Sequence, residues 1–243
     1  MDDRVAPADR VSAPLPAILL CGGRGTRLAD APSPASVDAS ADPTTPTGDP
    51  ADATTVTAEK PLVRVDDEPM VDRVIRALRR SDTVGTIHAV ASPHTSETLE
   101  HLRSVADRGV GGADRTTLTA LEGSGDGYVA DLQAALADVG RPAVTVVADL
   151  PLLRAEHVSA AVDHARRNPE RESLTVCVPA ATKRDLGVSL DTTMTVDGTR
   201  VAPTGLNVVG CTDAGEDVRI VDDPALAVNV NRPGDLAVAR RRS

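Results

Sequence analysis

Leu15-Pro16-Ala17-Ile18-Leu19-Leu20-Cys21-Gly22-Gly23-Arg24-Gly25-Thr26-Arg27-Leu28 decides the architecture. The apolar run from Leu15 to Leu20 reads as a short buried strand. It delivers the chain into a loop with three glycines and two arginines. Glycine lets the backbone approach a phosphate and aim successive N–H groups at it. Arginine adds fixed charge and paired donors that match phosphate oxygens. In open α/β sheets, ligands sit beyond the C-terminal ends of the strands, where this loop falls. No Gly-Lys-Ser/Thr follows, so it is not a Walker loop, and the third glycine of the dinucleotide fingerprint is absent. The plainer alternative is a Gly-rich turn with exposed arginines.

Outward from this stretch, strand and helix patterns alternate. Met70, Val71, Val74, Ile75 and Leu78 fall on one helical face. Val84 to Ala91 is a strand candidate, and Thr95 or Ser96 can cap a helix through Leu99, Leu102 and Val105. A strand at Thr116–Leu121 precedes a helix marked by Tyr128, Leu132, Ala135, Leu136 and Val139. Ala143–Ala148 is a continuous apolar strand that runs into Asp149-Leu150-Pro151, and Val158, Ala161, Val162 and Ala165 mark the next helix. Leu174–Val178 is a further strand. Asp197-Gly198 between two β-rich segments, Thr192–Val196 and Thr199–Ala202, signals a hairpin. Leu206–Val209 reads as one more strand, and Pro233 suits the first turn of a closing helix. The expected fold is one α/β domain, Rossmann-like, with a mainly parallel central sheet flanked by helices and a small β-hairpin excursion.

The expected organisation is a flexible arm at 1–14 and a domain at 15–243, with a low-complexity insertion at 29–58. The insertion is rich in Ala, Pro, Asp, Thr and Ser and has no apolar periodicity, so it is expected to be disordered. The 243 residues suffice for a real core without disulfides. That core must be aliphatic, because the chain has no Phe or Trp and one Tyr, Tyr128. A net charge of −10 argues against binding nucleic acid, whose affinity rests on basic contacts to phosphate. No run of about 18 apolar residues predicts a membrane span. The first residues lack an apolar signal region, and three cysteines without a CxxC suit a reducing cytoplasm. Arginine supplies the cations except at Lys60 and Lys183, and Asp dominates the acids. That balance favours a high-salt interior, where salt screens self-repulsion; the plainer reading, compatible with it, is GC-biased codon usage.

Other side chains stand out by type and place. Lys60 is a compact point charge beside Pro61, where Arg is the rule; the alternative is a surface lysine. Asp149 at a strand end can hold Mg²⁺ against nucleotide phosphates, or serve as a turn residue before Pro151. In Asn229-Val230-Asn231 the alternate amides share one face of a strand, or serve turn and cap chemistry. Cys21 reads as a small filler without a base to activate it. His157 and His164 read as surface residues.

Together, LCGGRGTRL, EKPL and ADLPLL resemble nucleotidyltransferases of the molybdopterin-guanylyltransferase and sugar-nucleotide pyrophosphorylase type. Ser92-Pro93-His94-Thr95, Gly123-Ser124-Gly125-Asp126-Gly127-Tyr128, Pro203-Thr204-Gly205-Leu206-Asn207 and Asn229-Val230-Asn231 are similar to the archaeal guanylyltransferases that use a corrinoid phosphate. The resemblance spans most of Ala17 to Ala239. It implies GMP transfer from GTP to adenosylcobinamide phosphate with release of pyrophosphate. It also implies that Gly22, Gly23, Gly25 and Thr26, next to Cys21, wrap the GTP phosphates, and that Arg27 and Lys60 neutralise them. Asp149 would hold Mg²⁺ with Asn229 or Asn231. Gly127, Gly205 and Asn207 would lie near the nucleotide or the corrinoid. Asp126 departs from the basic residue expected there. Sister acceptors, molybdopterin or phospholactate, remain alternatives, as does a non-catalytic nucleotide sensor. Self-association into a homodimer is left open.

Overall fold

The computed structural model describes residues 13–22, 58–109, 116–168, 170, 172–212 and 215–243. The expected arm up to residue 12, the insertion from 29 to 57 and the loop residues Gly23, Gly25, Thr26 and Arg27 lie outside the described residues. Ten strands are described: β1 (Leu15–Leu20), β2 (Arg64–Val65), β3 (Glu68–Pro69), β4 (Val84–Ala91), β5 (Thr117–Glu122), β6 (Ala143–Val147), β7 (Ser173–Pro179), β8 (Met194–Val196), β9 (Thr199–Val209) and β10 (Glu216–Ile220). The helices are α1 (Met70–Arg80), α2 (Ser96–Gly109), α3 (Tyr128–Val139), α4 (Ala155–Arg167), α5 (Ala180–Leu186), α6 (Pro224–Ala227) and α7 (Pro233–Arg242), with a 3₁₀ turn at Lys60–Leu62.

The main sheet runs β10-β7-β9-β6-β1-β4-β5, with β8 on β9. β1 pairs in parallel with β4 and β6, and β10 with β7, whereas β9 runs antiparallel to both β6 and β7. The expected α/β fold with a mainly parallel sheet flanked by helices is observed. β2 and β3 form a separate small hairpin. From β1 the chain builds outward to β4 and β5, then crosses to β6 on the other flank of β1. That reversal leaves a crevice beyond the C-terminal ends of β1 and β6.

The strands of this parallel region are buried on both faces, as their continuous apolar runs require. Ala17 and Leu19 of β1, with Cys21 just past it, join a core with Val71, Val74 and Leu78 of α1, Leu99 and Leu102 of α2 and Val158 and Val162 of α4. Ile18 and Leu20 point the other way, against Ala135 and Leu136 of α3. The alternation is the two-residue period of a strand. Each fully buried Val or Leu contributes about 1.5–3 kcal/mol, so aliphatic side chains suffice without aromatic bulk. A second cluster, with Val65, Met70, Leu152, Val188, Val228, Val230 and Val238, underlies the C-terminal segment. No helix among the described residues is long and apolar enough to cross a membrane.

The β8–β9 hairpin matches the Asp197-Gly198 signal, with φ of 47° and 78° at those two residues. Such positive φ values are the geometry of a two-residue turn. Other expectations are corrected. The strand at Leu206–Val209 is the far half of one 11-residue strand, β9, which passes through Pro203 and Gly205. Pro203 is tolerated because the β7–β9 register shifts between Thr175 and Cys177, next to the Pro203 pairing. Asn229–Asn231 is extended loop, not strand. His157 is buried, 8% exposed, not a surface residue.

Candidate active site

The site is assembled where β1 and β6 end side by side. Leu20 pairs with Val147, and the Ala148 N–H continues the ladder to Leu20 O at 3.0 Å. Gly22 emerges exposed just past β1, and among the described residues nothing lies within 4 Å of where its Cβ would be. The backbone at this lip is therefore open to a ligand. Cys21 is fully buried, and burial pushes its thiol far up. It packs the core, as a filler does, and has no reactive thiolate.

Asp149 follows β6. Its backbone carbonyl accepts from Val230 N–H at 2.9 Å, which clips the C-terminal segment onto the strand end. Val230 is fully buried, so Asn229 and Asn231 on either side of it turn toward the crevice. Lys60 Nζ donates to Asp149 Oδ2 at 2.5 Å and to Asn231 Oδ1 at 2.7 Å. Its 3₁₀ turn is fixed by buried Pro61. The preceding Glu59 accepts from the N–H groups of Glu97 (3.1 Å) and Thr98 (2.7 Å), capping α2 with its carboxylate.

Asn229 faces two ways. Its Nδ2 donates to Asp149 Oδ1 at 3.3 Å and to Thr204 O at 2.9 Å. Its Oδ1 accepts from Lys183 Nζ at 3.0 Å. Two acceptors on one side and an ammonium on the other determine the orientation of the amide. Lys183 is thus part of the same constellation, on α5, with 4% exposure. Burial pulls its ammonium below the ordinary lysine range, and the carboxylates of Asp235, Asp149 and Asp191 oppose that.

Asp235 holds the cluster from beneath. It is 2% exposed and accepts from Asn231 N–H (2.9 Å), Arg232 N–H (2.8 Å), Ser189 N–H (2.7 Å) and the Ser189 hydroxyl (2.7 Å). It lies in the first turn of α7 and ties the Asn231 segment to the chain that leaves α5. A buried carboxylate with four donors is satisfied, and so rigid.

The segment before α3 approaches from the opposite side. Asp131, 6% exposed, accepts from Ser124 N–H at 2.6 Å and from its hydroxyl at 2.9 Å. Gly127 has a φ of 110° and precedes α3. Burial pushes the Tyr128 phenol up and the negative charge of Asp149 adds to it, so Tyr128 borders the site. Gly205 (φ 86°) lies against Val147, where a Cβ would come within 2.4 Å of Val147 Cγ2. Asn207 lies deeper along β9, opposite Thr145, with Nδ2 at 3.4 Å from Thr145 Oγ1. It is not brought into the Lys60–Asp149 cluster.

The structure therefore unites Lys60, Asp149, Asn229 and Asn231, sets Gly22 on the neighbouring strand end, and adds Lys183 and Asp235. Sequence reading noted the rarity of Lys183 without giving it a place. Asp235 carried no signal beyond an acid in the first turn of a helix. His157 belongs elsewhere: its Nδ1 accepts from Arg154 N–H at 3.1 Å and its Nε2 meets Asp223 Oδ2 at 3.0 Å.

Chemically, Asp149 Oδ2 and Asn231 Oδ1 converge on one cation, the Lys60 ammonium. Oxygens placed this way also suit Mg²⁺, which takes one or two carboxylates and completes its shell with substrate phosphates. Among the described residues no group of three or more His, Cys, Asp or Glu side chains gathers at one point. Asn229 presents its amide nitrogen to Asp149, so in this arrangement it orients the carboxylate.

Comparison with known proteins bears on the chemistry. The profile of the MobA-like NTP transferase domain matches residues 17–187. An adenosylcobinamide-phosphate guanylyltransferase of Methanocaldococcus jannaschii is 24% identical over 229 residues, 92% of this chain and 94% of that protein. Two solved structures share the fold. One, from Bacillus anthracis and described as a glucose-1-phosphate thymidylyltransferase, has a TM-score of 0.60 at 12% identity, covering 93% of this chain and 94% of that one. The other, a 4-diphosphocytidyl-2C-methyl-D-erythritol synthase of Anaerococcus prevotii, has a TM-score of 0.59 at 9% identity, covering 98% and 99%.

Proposed function

Since the chain belongs to the MobA-like NTP transferase domain family, and is a nucleotidyltransferase, we propose that it transfers GMP from GTP to adenosylcobinamide phosphate. The products are adenosylcobinamide-GDP and pyrophosphate. The observation that carries this reading is the junction of Lys60, Asp149 and Asn231 beside Gly22 at the β1/β6 crevice. Similarity along nearly the whole length of an archaeal enzyme with that name supports the choice of nucleotide and acceptor.

An oxygen of the acceptor phosphate forms a bond to the α-phosphorus of GTP. The bond from that phosphorus to the α,β-bridging oxygen breaks, and its electron pair leaves with pyrophosphate. The attacking phosphate is already ionised near neutral pH, so no general base is needed. Both partners are anionic, so the protein's work is to position and neutralise them. Gly22 opens the phosphate loop, whose Gly23, Gly25, Thr26 and Arg27 complete it in this reading. Lys60 exchanges Asp149 for the triphosphate, releasing a carboxylate oxygen. Enzymes of this kind generally use a divalent metal; Mg²⁺ held by Asp149 and Asn231 would neutralise charge on the phosphates. Asn229 keeps Asp149 in its rotamer. Gly127, Tyr128 and Gly205 shape the walls.

The test is pyrophosphate release in molar KCl with Mg²⁺, adenosylcobinamide phosphate and each of GTP, ATP, CTP and UTP. Release that requires both GTP and the corrinoid phosphate is expected. Release with molybdopterin or phospholactate alone would move the acceptor to a sister class. GTP binding with no release on any acceptor would make the chain a nucleotide sensor and overturn the proposal.

A further inference from the structure

We infer that Lys183 is the binding residue for the acceptor's phosphate, which enters from the side of the crevice away from β1 and Gly22. This rests on the proposed reaction only in taking the acceptor to be a phosphate monoester. Three observations converge on it.

The first is residue usage. The chain has 26 Lys and Arg together, and Lys stands only at positions 60 and 183. Each donates to one amide of Asn229-Val230-Asn231: Lys60 to Asn231 at 2.7 Å and Lys183 to Asn229 at 3.0 Å. A sequence that otherwise uses arginine keeps its two compact ammonium groups on one constellation. Arginine's planar fork serves a fixed bidentate partner, whereas lysine serves as a point charge that can follow a moving phosphate.

The second is an unfilled valence. Lys183 is 4% exposed, and its ammonium has three donors. Among the described residues its side chain makes one hydrogen bond, to a neutral amide oxygen, and no carboxylate lies within ion-pair contact. Asp235, Asp149 and Asp191 act on it only from beyond contact, and a buried ammonium with donors left over is costly unless a partner completes it. Lys60, by contrast, is already satisfied by a carboxylate.

The third is topology. The strand order at the crevice is β7-β9-β6-β1. Gly22 leaves the end of β1, Asp149 the end of β6, and Lys183 lies on the helix that follows β7. Lys183 and Gly22 therefore flank Asp149 from opposite sides. In-line displacement puts the attacking and leaving oxygens on opposite sides of the phosphorus. With the triphosphate held on the β1 side, the acceptor phosphate enters from the β7 side, under Lys183.

Two lysines make the test direct, because protein carrying ¹³C at lysine Cε gives two side-chain signals, assigned with Lys60→Arg. Inorganic phosphate is titrated into the full chain saturated with Mg²⁺ and α,β-methylene-GTP, which fills the triphosphate side and cannot react. The Lys183 signal is expected to move with phosphate after the nucleotide has moved the Lys60 signal. In kinetics with the acceptor found active, Lys183→Met is expected to raise the KM for that acceptor about 10- to 100-fold. GTP affinity should stay within about twofold, and Lys183→Arg should recover part of the loss. A Lys183 signal indifferent to phosphate, or a Lys183→Met effect shared equally by GTP and acceptor, overturns the assignment. Failure of adenosylcobinamide phosphate as a substrate would sink the acceptor reading but leave the phosphate titration able to decide Lys183.

Discussion

Gly205→Ala tests the packing that supports the site. Gly205 has a φ of 86°, a region that costs an L-residue about 1–2 kcal/mol. A Cβ there would sit 2.4 Å from Val147 Cγ2, 3.4 Å from Cγ1 and 3.5 Å from Cβ. Carbon atoms prefer about 3.5–4.0 Å, so the strands must separate by roughly 1 Å. Val147 yields little, because a β-branched side chain in a strand is restricted at χ1. Overpacking of this kind costs about 1–3 kcal/mol. The sum is about 2–5 kcal/mol, a large share of the roughly 5–15 kcal/mol that holds a native domain together. The movement reaches the site, because Thr204 O anchors Asn229 at 2.9 Å. With no tryptophan in the chain, unfolding is followed by far-UV circular dichroism in denaturant. The double variant Gly205→Ala/Val147→Ala removes the clash but not the φ cost, so it should recover part of the loss relative to the sum of the singles. A loss under about 1 kcal/mol in the single variant, or simple additivity in the double, would refute the close-approach argument.

Lys60→Met and Asp149→Asn should each lower pyrophosphate release by at least about 100-fold while circular dichroism shows an intact fold; full turnover in both would refute the site assignment. His157 gives a pH signature. Burial lowers its pKa from 6.5, with the Arg154 charge adding to this and the Asp223 hydrogen bond opposing it. The unfolded chain therefore binds the proton more readily, and stability is full above about pH 6.5 and falls as pH drops toward the folded value. Protonation at Nδ1 would also abolish its acceptance from Arg154 N–H. Thermal midpoints between pH 8 and pH 5 should show this decline, and His157→Gln should flatten it; an equal decline in the variant would refute the attribution.

Where the sequence was legible, a strong local rule agreed with the tertiary outcome. β1, β4 and β6 are apolar runs because both faces are covered, and the Asp197-Gly198 hairpin follows from backbone preference. The segments Thr199–Ala202 and Leu206–Val209 join into one strand, β9, because a register shift beside Pro203 accommodates the proline and Gly205 allows the close approach to Val147. β10 escaped notice because Glu216, Asp217 and Arg219 dilute its apolar residues, as suits a strand at the sheet's edge. In the site, Lys60, Asp149 and the two asparagines stood out by type and position. Lys183 stood out only by composition, since nothing local to a seven-residue helix says that its fourth residue reaches Asn229.

The same contrast explains why the site is rigid although three of its side chains come from loops. Asn229 and Asn231 need a strand's alternation without a strand's partner. The segment gains it from one buried side chain, Val230, one backbone bond to Asp149 O at 2.9 Å, and Asp235 beneath Asn231. Val230 belongs to the second apolar cluster, not to the main core. The C-terminal third of the chain is thus more than a cover for the sheet. Its own small core fixes the pair of amides on which both lysines converge, and Asp235 links that pair to the segment that leaves α5. Lys60 and Lys183 are joined through Asp149 and Asn229, by a chain of hydrogen bonds of 2.5–3.3 Å that runs from one lysine to the other.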